Sequence, residues 1–480
     1  MNSDNSGLYY KQPKPIRALE IERLKLENHV LDESGERPVA ISVVVPTFNK
    51  NDTRYNRAVL NVISTCGSLI DEGVIDEVVI ADGSRTDEGK VDMEFMEFLL
   101  SIAIKYSKTF EREVDFVGGL SEGKLRALQG RYDFSFRIQS QIDPELHRIY
   151  LDQGILNQGE IDDLKNGKGA NMWFSVPVTY GDIICFVDSD IISFRKHYVK
   201  GLCQPILKGW NSEAREDEPQ SSKVFSKAAY IRLHKIPKGF KMGGRLSRLF
   251  GIPMLRVLNK HDIFPGLNKI TYPFSGECAF TRYAINKLQF SNGYDIETSV
   301  LCQLWKEFGI DKVAEYNFGF FRHLPGEEEH ADEMLGEISM ALFYWLRRYG
   351  FIEGLGDFDS LIREYENEAG DMIDVYKKIA EKIPSQLTYE EGQMREDSER
   401  IKRYMDIIKS GYTLSVNNKP KLLRPWEDIK REVNLKRGYS YATLKSTLQS
   451  RVNKFTSNMI LSYIRIYVDR SNRIISQFIE

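Results

Sequence analysis

The stretch DIICFVDSD, residues 182–190, decides the fold of this 480-residue chain. Its apolar run is typical of a strand that is buried on both faces of a sheet. Asp188 and Asp190 follow at the carboxyl end of that strand, the edge where open α/β sheets bind their ligands. Two carboxylates spaced i, i+2 at this edge predict a site for a divalent cation. The same residues also fit a simple cap of the next helix. The neighbouring sequence has to distinguish between a cation site and a helix cap.

The composition is that of an ordinary globular protein. A net charge of −3 gives no sign of a nucleic-acid surface. No apolar run approaches the roughly 20 residues that span a bilayer, and the polar N-terminus lacks the apolar core of a secretion signal. The five cysteines form no CxxC pair and indicate free thiols in a reducing compartment. We therefore expect a cytoplasmic protein without a nucleic-acid partner.

The length of the chain exceeds the usual size of one core and predicts more than one unit. We expect a polar N-terminal extension over residues 1–38, an α/β domain over residues 39–330 and a mainly helical C-terminal region over residues 331–480. Within the α/β domain we place a division near residue 190, because the alternation of strands and helices changes beyond residue 200.

Two more apolar runs, residues 40–46 and 75–81, predict strands that precede the DSD strand. Helical spacing follows each of them, over residues 55–69 and 92–106, so the pattern predicts an α/β fold with a mostly parallel central sheet. Residues 110–160 look irregular, which makes the DSD strand the third. Polar groups then follow three strand ends. At the second of these, Asp82 also fits a plain turn in Asp-Gly-Ser.

The motifs in this order resemble family-2-type glycosyltransferases of the GT-A fold. The first half has VPTFN at 45–49, DGS at 82–84, GKG at 167–169 and DSD at 188–190. The second half has KAAY at 227–230, GGRLS at 243–247, FSGE at 274–277 and GYDIE at 293–297. With the second set, the chain resembles the retaining glucosyl-3-phosphoglycerate synthases over about residues 40–325.

The resemblance implies an enzyme that transfers glucose from UDP-glucose to 3-phosphoglycerate, giving glucosyl-3-phosphoglycerate with retention of configuration. It implies Mg²⁺ or Mn²⁺ as cofactor, a nucleotide-sugar half over residues 39–190 and an acceptor half over residues 191–330. No protein nucleophile or base is implied, because the leaving diphosphate would accept the proton of the acceptor. The protein would contribute positioning and charge stabilisation.

The resemblance also implies a role for each candidate site residue. The nucleotide sugar would be bound by Pro46, Thr47, Phe48, Asn49, Asp82, Lys168, Asp188 and Ser189, with Asp82 facing the uracil. The metal would be bound by Asp190 and His323, with Asp188 as a helper. The acceptor anion would be held by Gly244, Arg245, Leu246 and Ser247, where a guanidinium, a hydroxyl and backbone N–H groups suit an anion. Glu297 and Lys168 would be the catalytic residues.

One departure from the family pattern leaves the acceptor open. After His323 the chain reads LPGEEE, residues 324–329, where we expect basic or amide groups, and Arg248 and Lys241 are candidates to compensate. Glycerate, polysaccharide or lipid acceptors and GDP-mannose or GDP-glucose donors stay alternatives. A non-catalytic scaffold is disfavoured by the intact DSD motif, and a dinucleotide oxidoreductase by the lack of GxGxxG after the first strand.

The last 62 residues, 419–480, hold 13 Lys and Arg against 5 Asp and Glu, together with an amphipathic run from Met459 to Ile475. We expect this segment to dock on the protein itself or to form an oligomer contact, so a homodimer stays open. Contact with a membrane surface is disfavoured, because basic amphipathic helices often pack on protein.

Overall fold

The computed structural model describes residues 39–479, apart from 122, 126–129, 212–213, 215–217, 238, 325–327, 383–386 and 437. The predicted N-terminal extension, residues 1–38, lies outside the described residues. The strands are β1 (Ile41–Thr47), β2 (Glu77–Asp82), β3 (Phe136–Ser140), β4 (Ile183–Phe186), β5 (Phe225–Ile236), β6 (Gly239–Met242), β7 (Cys278–Thr281), β8 (Phe290–Ser291), β9 (Val313–Arg322), β10 (Leu387–Thr388) and β11 (Leu422–Leu423).

The helices of the α/β half are α1 (Thr53–Asp71), α2 (Met93–Tyr106), α3 (Lys108–Gly118), α4 (Pro144–Asp152), α5 (Gln158–Leu164), α6 (Lys168–Ser175), α7 (Lys196–Leu207), α8 (Ile252–Lys260), α9 (Arg282–Lys287) and α10 (Ile296–Phe308). Those of the C-terminal region are α11 (Glu328–Arg348), α12 (Phe358–Lys382), α13 (Glu391–Asn417), α14 (Trp426–Leu435) and α15 (Tyr441–Ile479). A π-helical turn, Leu246–Gly251, precedes α8.

One nine-stranded sheet organises the molecule. Its order is β10-β6-β5-β7-β4-β1-β2-β3, and β9 pairs in addition with β5. Strands β4, β1, β2 and β3 run parallel, so their carboxyl ends meet at one edge, whereas β7 runs antiparallel to β4. The predicted fold class is confirmed: a mostly parallel α/β sheet followed by a helical C-terminal region.

The interpretation of residues 110–160 as irregular was wrong, because this segment holds strand β3, helix α4 and most of helix α3. Arg137 and Gln139 interrupt the apolar pattern of β3, yet both are buried. The guanidinium of Arg137 forms an ion pair with buried Glu77 on β2, and this partner allows a charge inside the sheet. The DSD strand is therefore the fourth along the chain, although it lies directly beside β1.

Both faces of the sheet are covered by apolar side chains. In β1, Val44 packs in the cluster on one face, whereas Val43 and Val45 pack in the cluster on the other. The C-terminal helices contribute to both clusters, for example through Trp426 on α14 and Met459 on α15. The apolar character of β1 follows from this double burial.

Helix α15 covers the edge of the sheet beside β3. The Ile138 N–H, which has no strand to pair with on that side, donates to the Thr456 hydroxyl at 2.9 Å. Arg451 holds the Asp143 carboxylate with two hydrogen bonds of 2.6 and 2.7 Å. A helix placed in this way prevents the edge strand from pairing with another chain. Among the described residues, no helix is long and apolar enough to cross a bilayer.

We expect Arg451→Ala to lower the free energy of unfolding by about 3 kcal/mol, because the substitution leaves the buried Asp143 carboxylate unpaired. Urea unfolding followed by circular dichroism measures the change. The control is Arg465→Ala, which alters an exposed arginine on the same helix and should change the free energy by less than about 0.5 kcal/mol. Equal effects of the two substitutions would contradict the role of Arg451.

Candidate active site

A cleft of about 960 Å³ opens at the carboxyl edge of the sheet. Its walls come from segments that are far apart in the sequence. Of the residues predicted for the site, those that line it are Pro46, Thr47, Phe48, Lys168, Asp188, Ser189, Asp190, Gly244, Arg245, Leu246, Ser247, Glu297 and His323. The structure therefore brings most of the predicted site residues together, and the role of each remains a prediction.

Three possible metal ligands converge in the cleft. Ligand atoms of Asp188, Asp190 and His323 all lie within 4.8 Å of one another. The Nε2 atom of His323 is 2.7 Å from an oxygen of Asp190. Burial alone would raise the pKa of Asp190, but His323 and Lys50 hold it well below its usual range. Asp190 is therefore a carboxylate at neutral pH, the form that binds a cation.

The position of His323 depends on β9. His323 follows the last residue of this strand and forms a β-bridge with Ile191, directly after the DSD motif. The Leu324 N–H donates to the Asp190 carbonyl at 3.2 Å. Two main-chain segments that are more than 130 residues apart thus hold the imidazole beside the carboxylate.

The three side chains fit a divalent cation. Carboxylates and an imidazole suit Mg²⁺ or Mn²⁺. The Nε2 atom of His323 is the ring nitrogen that faces Asp190, so Nε2 is the atom that would bind the metal. When bound, the ion acts as a Lewis acid toward phosphate oxygens. The predicted cofactor, Mg²⁺ or Mn²⁺, agrees with this set of ligands.

Lys168 lies at the start of α6 and joins two acids across the cleft. Its Nζ is 2.8 Å from Asp188 and 3.1 Å from Glu297. Burial would lower the pKa of this lysine, but the two carboxylates raise it well above its usual value. Gly167 has a φ of +111°, and a Cβ on Gly169 would overlap the Ser291 carbonyl oxygen. The two glycines thus allow the close approach that places the ammonium group.

In the part of the cleft predicted to bind the nucleotide, Phe48 is 46% exposed and the Arg85 guanidinium lies 5.9 Å from the centre of its ring. An exposed ring in a cleft offers a stacking surface for a base. The Tyr55 hydroxyl accepts from the Phe48 N–H at 3.0 Å and contacts the Ser189 hydroxyl at 2.9 Å. Tyr55 therefore ties the loop after β1 to the DSD motif.

Asp82 and Asn49 lie behind this wall rather than in it. Asp82 is fully buried and accepts hydrogen bonds from Thr47 and Ser84, each at 2.7 Å. Burial raises the pKa of Asp82 to about 6. The Asn49 amide donates to Asp92 at 2.9 Å. These contacts shape the loop after β1, so any effect of Asp82 on a base would pass through Thr47 and Ser84.

The part of the cleft predicted to bind the acceptor is rich in cations. Arg232 lies 2.6 Å from the Nδ1 atom of His323, and Lys241 and Arg245 line the same wall. Burial lowers the pKa of His234 to about 4, and Arg232 and Lys241 contribute to the shift through their charges. This part of the cleft therefore favours an anion.

Of the two residues that were candidates to compensate for the acidic stretch, only Lys241 is exposed. Arg248 is buried and forms an ion pair with Asp397 at 2.9 Å. Residues 325–327 of the acidic stretch and the side chains of residues 328 and 329 lie outside the described residues.

Several residues of the site were not predicted from the sequence. Arg232 lies on β5, and only the register of β5 against β9 shows that it reaches His323. Glu277 lies beneath the cleft, where its carboxylate accepts from the Tyr230 hydroxyl at 3.1 Å. Burial and the charge of Asp188 raise the pKa of Glu277 to about 8. The FSGE motif was the only signal for it.

The cleft brings an Asp-Asp-His cluster and a basic wall together at the carboxyl edge of the sheet. The sequence similarities below are to glycosyltransferases, and the chain resembles enzymes of the GT-A fold. The particular proteins that the chain resembles are glucosyl-3-phosphoglycerate synthases.

The synthase of Mycobacterium tuberculosis is 25% identical over 293 residues, which cover 61% of this chain and 68% of the relative. That of Petrotoga mobilis is 30% identical over 209 residues, which cover 42% of this chain and 59% of the relative. The predicted resemblance and the predicted enzyme class are confirmed.

Solved structures show a likeness over a similar share of the chain. A crystal structure of the Mycobacterium tuberculosis synthase in complex with Mn²⁺, UDP and glucosyl-3-phosphoglycerate has a TM-score of 0.44 and 23% identity. The likeness covers 69% of this chain and 84% of that one. No protein-family model matches the chain.

We expect the unusual pKa of His234 to appear in the pH dependence of stability. Its pKa is about 4 in the folded protein, against 6.5 for an ordinary histidine. Between these pH values the unfolded chain binds a proton that the folded chain does not. The stability that the folded protein gains from a neutral His234 is therefore fully present above pH 6.5, and it is lost as the pH falls toward 4. The urea midpoint of the wild type should fall more steeply over this window than that of His234→Gln. Parallel curves would contradict the low pKa.

Proposed function

We propose that this protein transfers glucose from UDP-glucose to 3-phosphoglycerate and forms glucosyl-3-phosphoglycerate with retention of configuration. The bond between the anomeric carbon and the diphosphate oxygen breaks, and a bond from the same carbon to the acceptor hydroxyl oxygen forms. The hydroxyl proton passes to the departing UDP. The relatives named above support this donor and this acceptor.

One observation carries the proposal: the same cleft holds a cluster of metal ligands and a basic wall. Asp190 and His323 belong to the cluster of metal ligands, and Arg232, which belongs to the basic wall, lies 2.6 Å from the imidazole. A donor diphosphate needs a cation, whereas an acceptor with carboxylate and phosphate groups needs arginine and lysine. The two anions would thus bind side by side, with their charges met by different groups.

In this proposal the residues of the cleft bind and position the substrates. Phe48 stacks on the base, and Asp188 contacts the ribose or waters of the metal. Lys168 reaches the diphosphate and is oriented by Asp188 and Glu297, from which it lies 2.8 and 3.1 Å. Glu297 contacts the sugar hydroxyls. Because these side chains are already held in place by one another, they would stabilise the leaving diphosphate without rearranging during the reaction.

The acceptor would bind at Gly244–Ser247. Gly244 has a φ of +70°, which turns the loop, and Arg245 adds a guanidinium to the wall. The predicted division into a nucleotide-sugar half and an acceptor half is kept as part of this proposal. We also propose that the reaction takes place in the cytoplasm, where the five buried free thiols would stay reduced.

The experiment that tests the proposal is an assay of the purified protein with Mn²⁺ or Mg²⁺, followed by mass spectrometry. The donors are UDP-glucose, GDP-glucose and GDP-mannose, and the acceptors are 3-phosphoglycerate and glycerate. We expect the highest kcat/KM with UDP-glucose and 3-phosphoglycerate, and a product with the α-anomeric configuration of the donor. Absence of turnover of UDP-glucose with 3-phosphoglycerate would refute the proposed reaction.

We expect Asp190→Asn to lower kcat/KM by at least about 100-fold, because the amide binds a divalent cation poorly and the leaving diphosphate loses its counter-charge. Steady-state kinetics over a series of Mn²⁺ concentrations measure the loss. The control is Asp359→Asn on α12, an exposed carboxylate outside the cleft, which should keep the wild-type rate. Full activity of Asp190→Asn would contradict its role as a ligand.

A further inference from the structure

Helix α13, in the C-terminal region, forms part of the wall at the acceptor end of the cleft. Its residues Gln393, Glu396, Asp397 and Arg400 line the cleft beside the loop Gly243–Ser247, called the glycine loop below. This helix lies beyond residue 325, where the family resemblance ends. The cleft of the α/β half is therefore completed by a segment to which the sequence patterns assigned no role.

Asp397 is the central residue of this contact. Its side chain is fully buried. One carboxylate oxygen accepts from the Arg248 guanidinium at 2.9 Å and from the Tyr389 hydroxyl at 2.7 Å, and the other accepts from Arg400 at 2.8 Å. Burial of a charge is costly unless all its hydrogen bonds are made, and here three donors make them.

Arg248 connects Asp397 to the main chain of the glycine loop. Its Nε–H donates to the Gly243 carbonyl at 2.8 Å. The Gln393 amide, also on α13, donates to the preceding carbonyl, that of Met242, at 3.0 Å. Two successive carbonyls at the end of β6 are therefore held by groups that α13 carries or orients.

The loop has little freedom immediately after these two carbonyls. A Cβ on Gly244 would collide with the Tyr272 hydroxyl. The Arg248 N–H donates to the Gly244 carbonyl at 2.9 Å, at the start of the π-helical turn. Turns of this type are frequent at functional sites. The position of Arg245 and Ser247 then depends on where residues 242–244 are held.

We infer that Asp397 is a positioning residue for the acceptor: through Arg248 it holds the loop Gly243–Ser247 in the form that binds the anion. This inference rests on the proposed function for the identity of the acceptor. Asp397 contacts no reacting atom in this account. Asp397 would thus affect acceptor affinity, whereas the donor and metal sites at the DSD motif would not depend on it.

The test uses the full chain and two kinds of substitution. The double variant Arg248→Met/Asp397→Leu replaces the buried ion pair with apolar groups, a change that proteins often tolerate, and it removes the bond to Gly243. The variant Gln393→Leu removes the bond to Met242. The control, Glu368→Gln, weakens a different contact of the C-terminal region, the 2.6 Å pair with Lys260, which is remote from the loop.

We expect the KM for 3-phosphoglycerate to rise about tenfold or more in the double variant and to a smaller extent in Gln393→Leu. The KM for UDP-glucose and kcat should stay within about twofold of the wild type, and Glu368→Gln should leave both KM values unchanged. The inference would be overturned if kcat fell and both KM values rose to the same extent, or if the KM for 3-phosphoglycerate did not change. Asp397 would then serve stability alone.

Hydrogen exchange of the ligand-free protein separates this inference from the proposed function. Amides of residues 239–248 should exchange faster in the double variant than in the wild type and Glu368→Gln. If the wild type fails to use 3-phosphoglycerate, the proposed reaction is wrong. Faster exchange in the double variant would still support the inference that Asp397 holds the loop through Arg248. Unchanged exchange at these residues would overturn the inference whatever the substrate.

Discussion

The contact between Asp190 and His323 is the interaction on which the rest of the site depends. The two side chains come within 2.7 Å of each other because β9 ends beside the loop that follows β4. A carboxylate that is mostly buried needs a hydrogen-bond donor or a cation as its partner, and a metal ion bound by both side chains would be such a cation. The pairing thus holds the DSD motif in one arrangement before any substrate binds.

The charges around this contact are separated along the cleft. Lys168 lies between the carboxylates of Asp188 and Glu297 in one part of the cleft, whereas Arg232, Lys241 and Arg245 line another part. In the proposed reaction, fixed charges that already match two anions would require little reorganisation. Burial, together with the charges of the basic wall, lowers the pKa of His234 to about 4.

The sequence predicted those parts of the fold that depend on local patterns. Residues 40–46, 75–81 and 182–187 were correctly interpreted as strands, because strands buried on both faces are apolar. Strand β3 was missed, since its buried Arg137 looks like a surface residue until its ion pair with Glu77 is known.

Contacts between distant segments were beyond local patterns. The approach of Arg232 to His323 depends on the register of β5 against β9, and the pair of Arg248 and Asp397 joins residues 149 positions apart. His323 and Arg245 were proposed from the family resemblance, and their assigned roles stay predictions. A polar contact between two distant residues produces no periodic pattern of apolar residues in the sequence, so only the three-dimensional structure reveals it.

The most direct test of the central claim is pulsed electron paramagnetic resonance of Mn²⁺ bound to the protein with UDP, after labelling with ¹⁵N-histidine. The account predicts that the same Mn²⁺ ion couples to ³¹P of UDP and to one imidazole nitrogen, and that His323→Ala abolishes the nitrogen coupling alone. A Mn²⁺ ion that couples to phosphorus but to no histidine nitrogen in the wild-type protein would contradict the account.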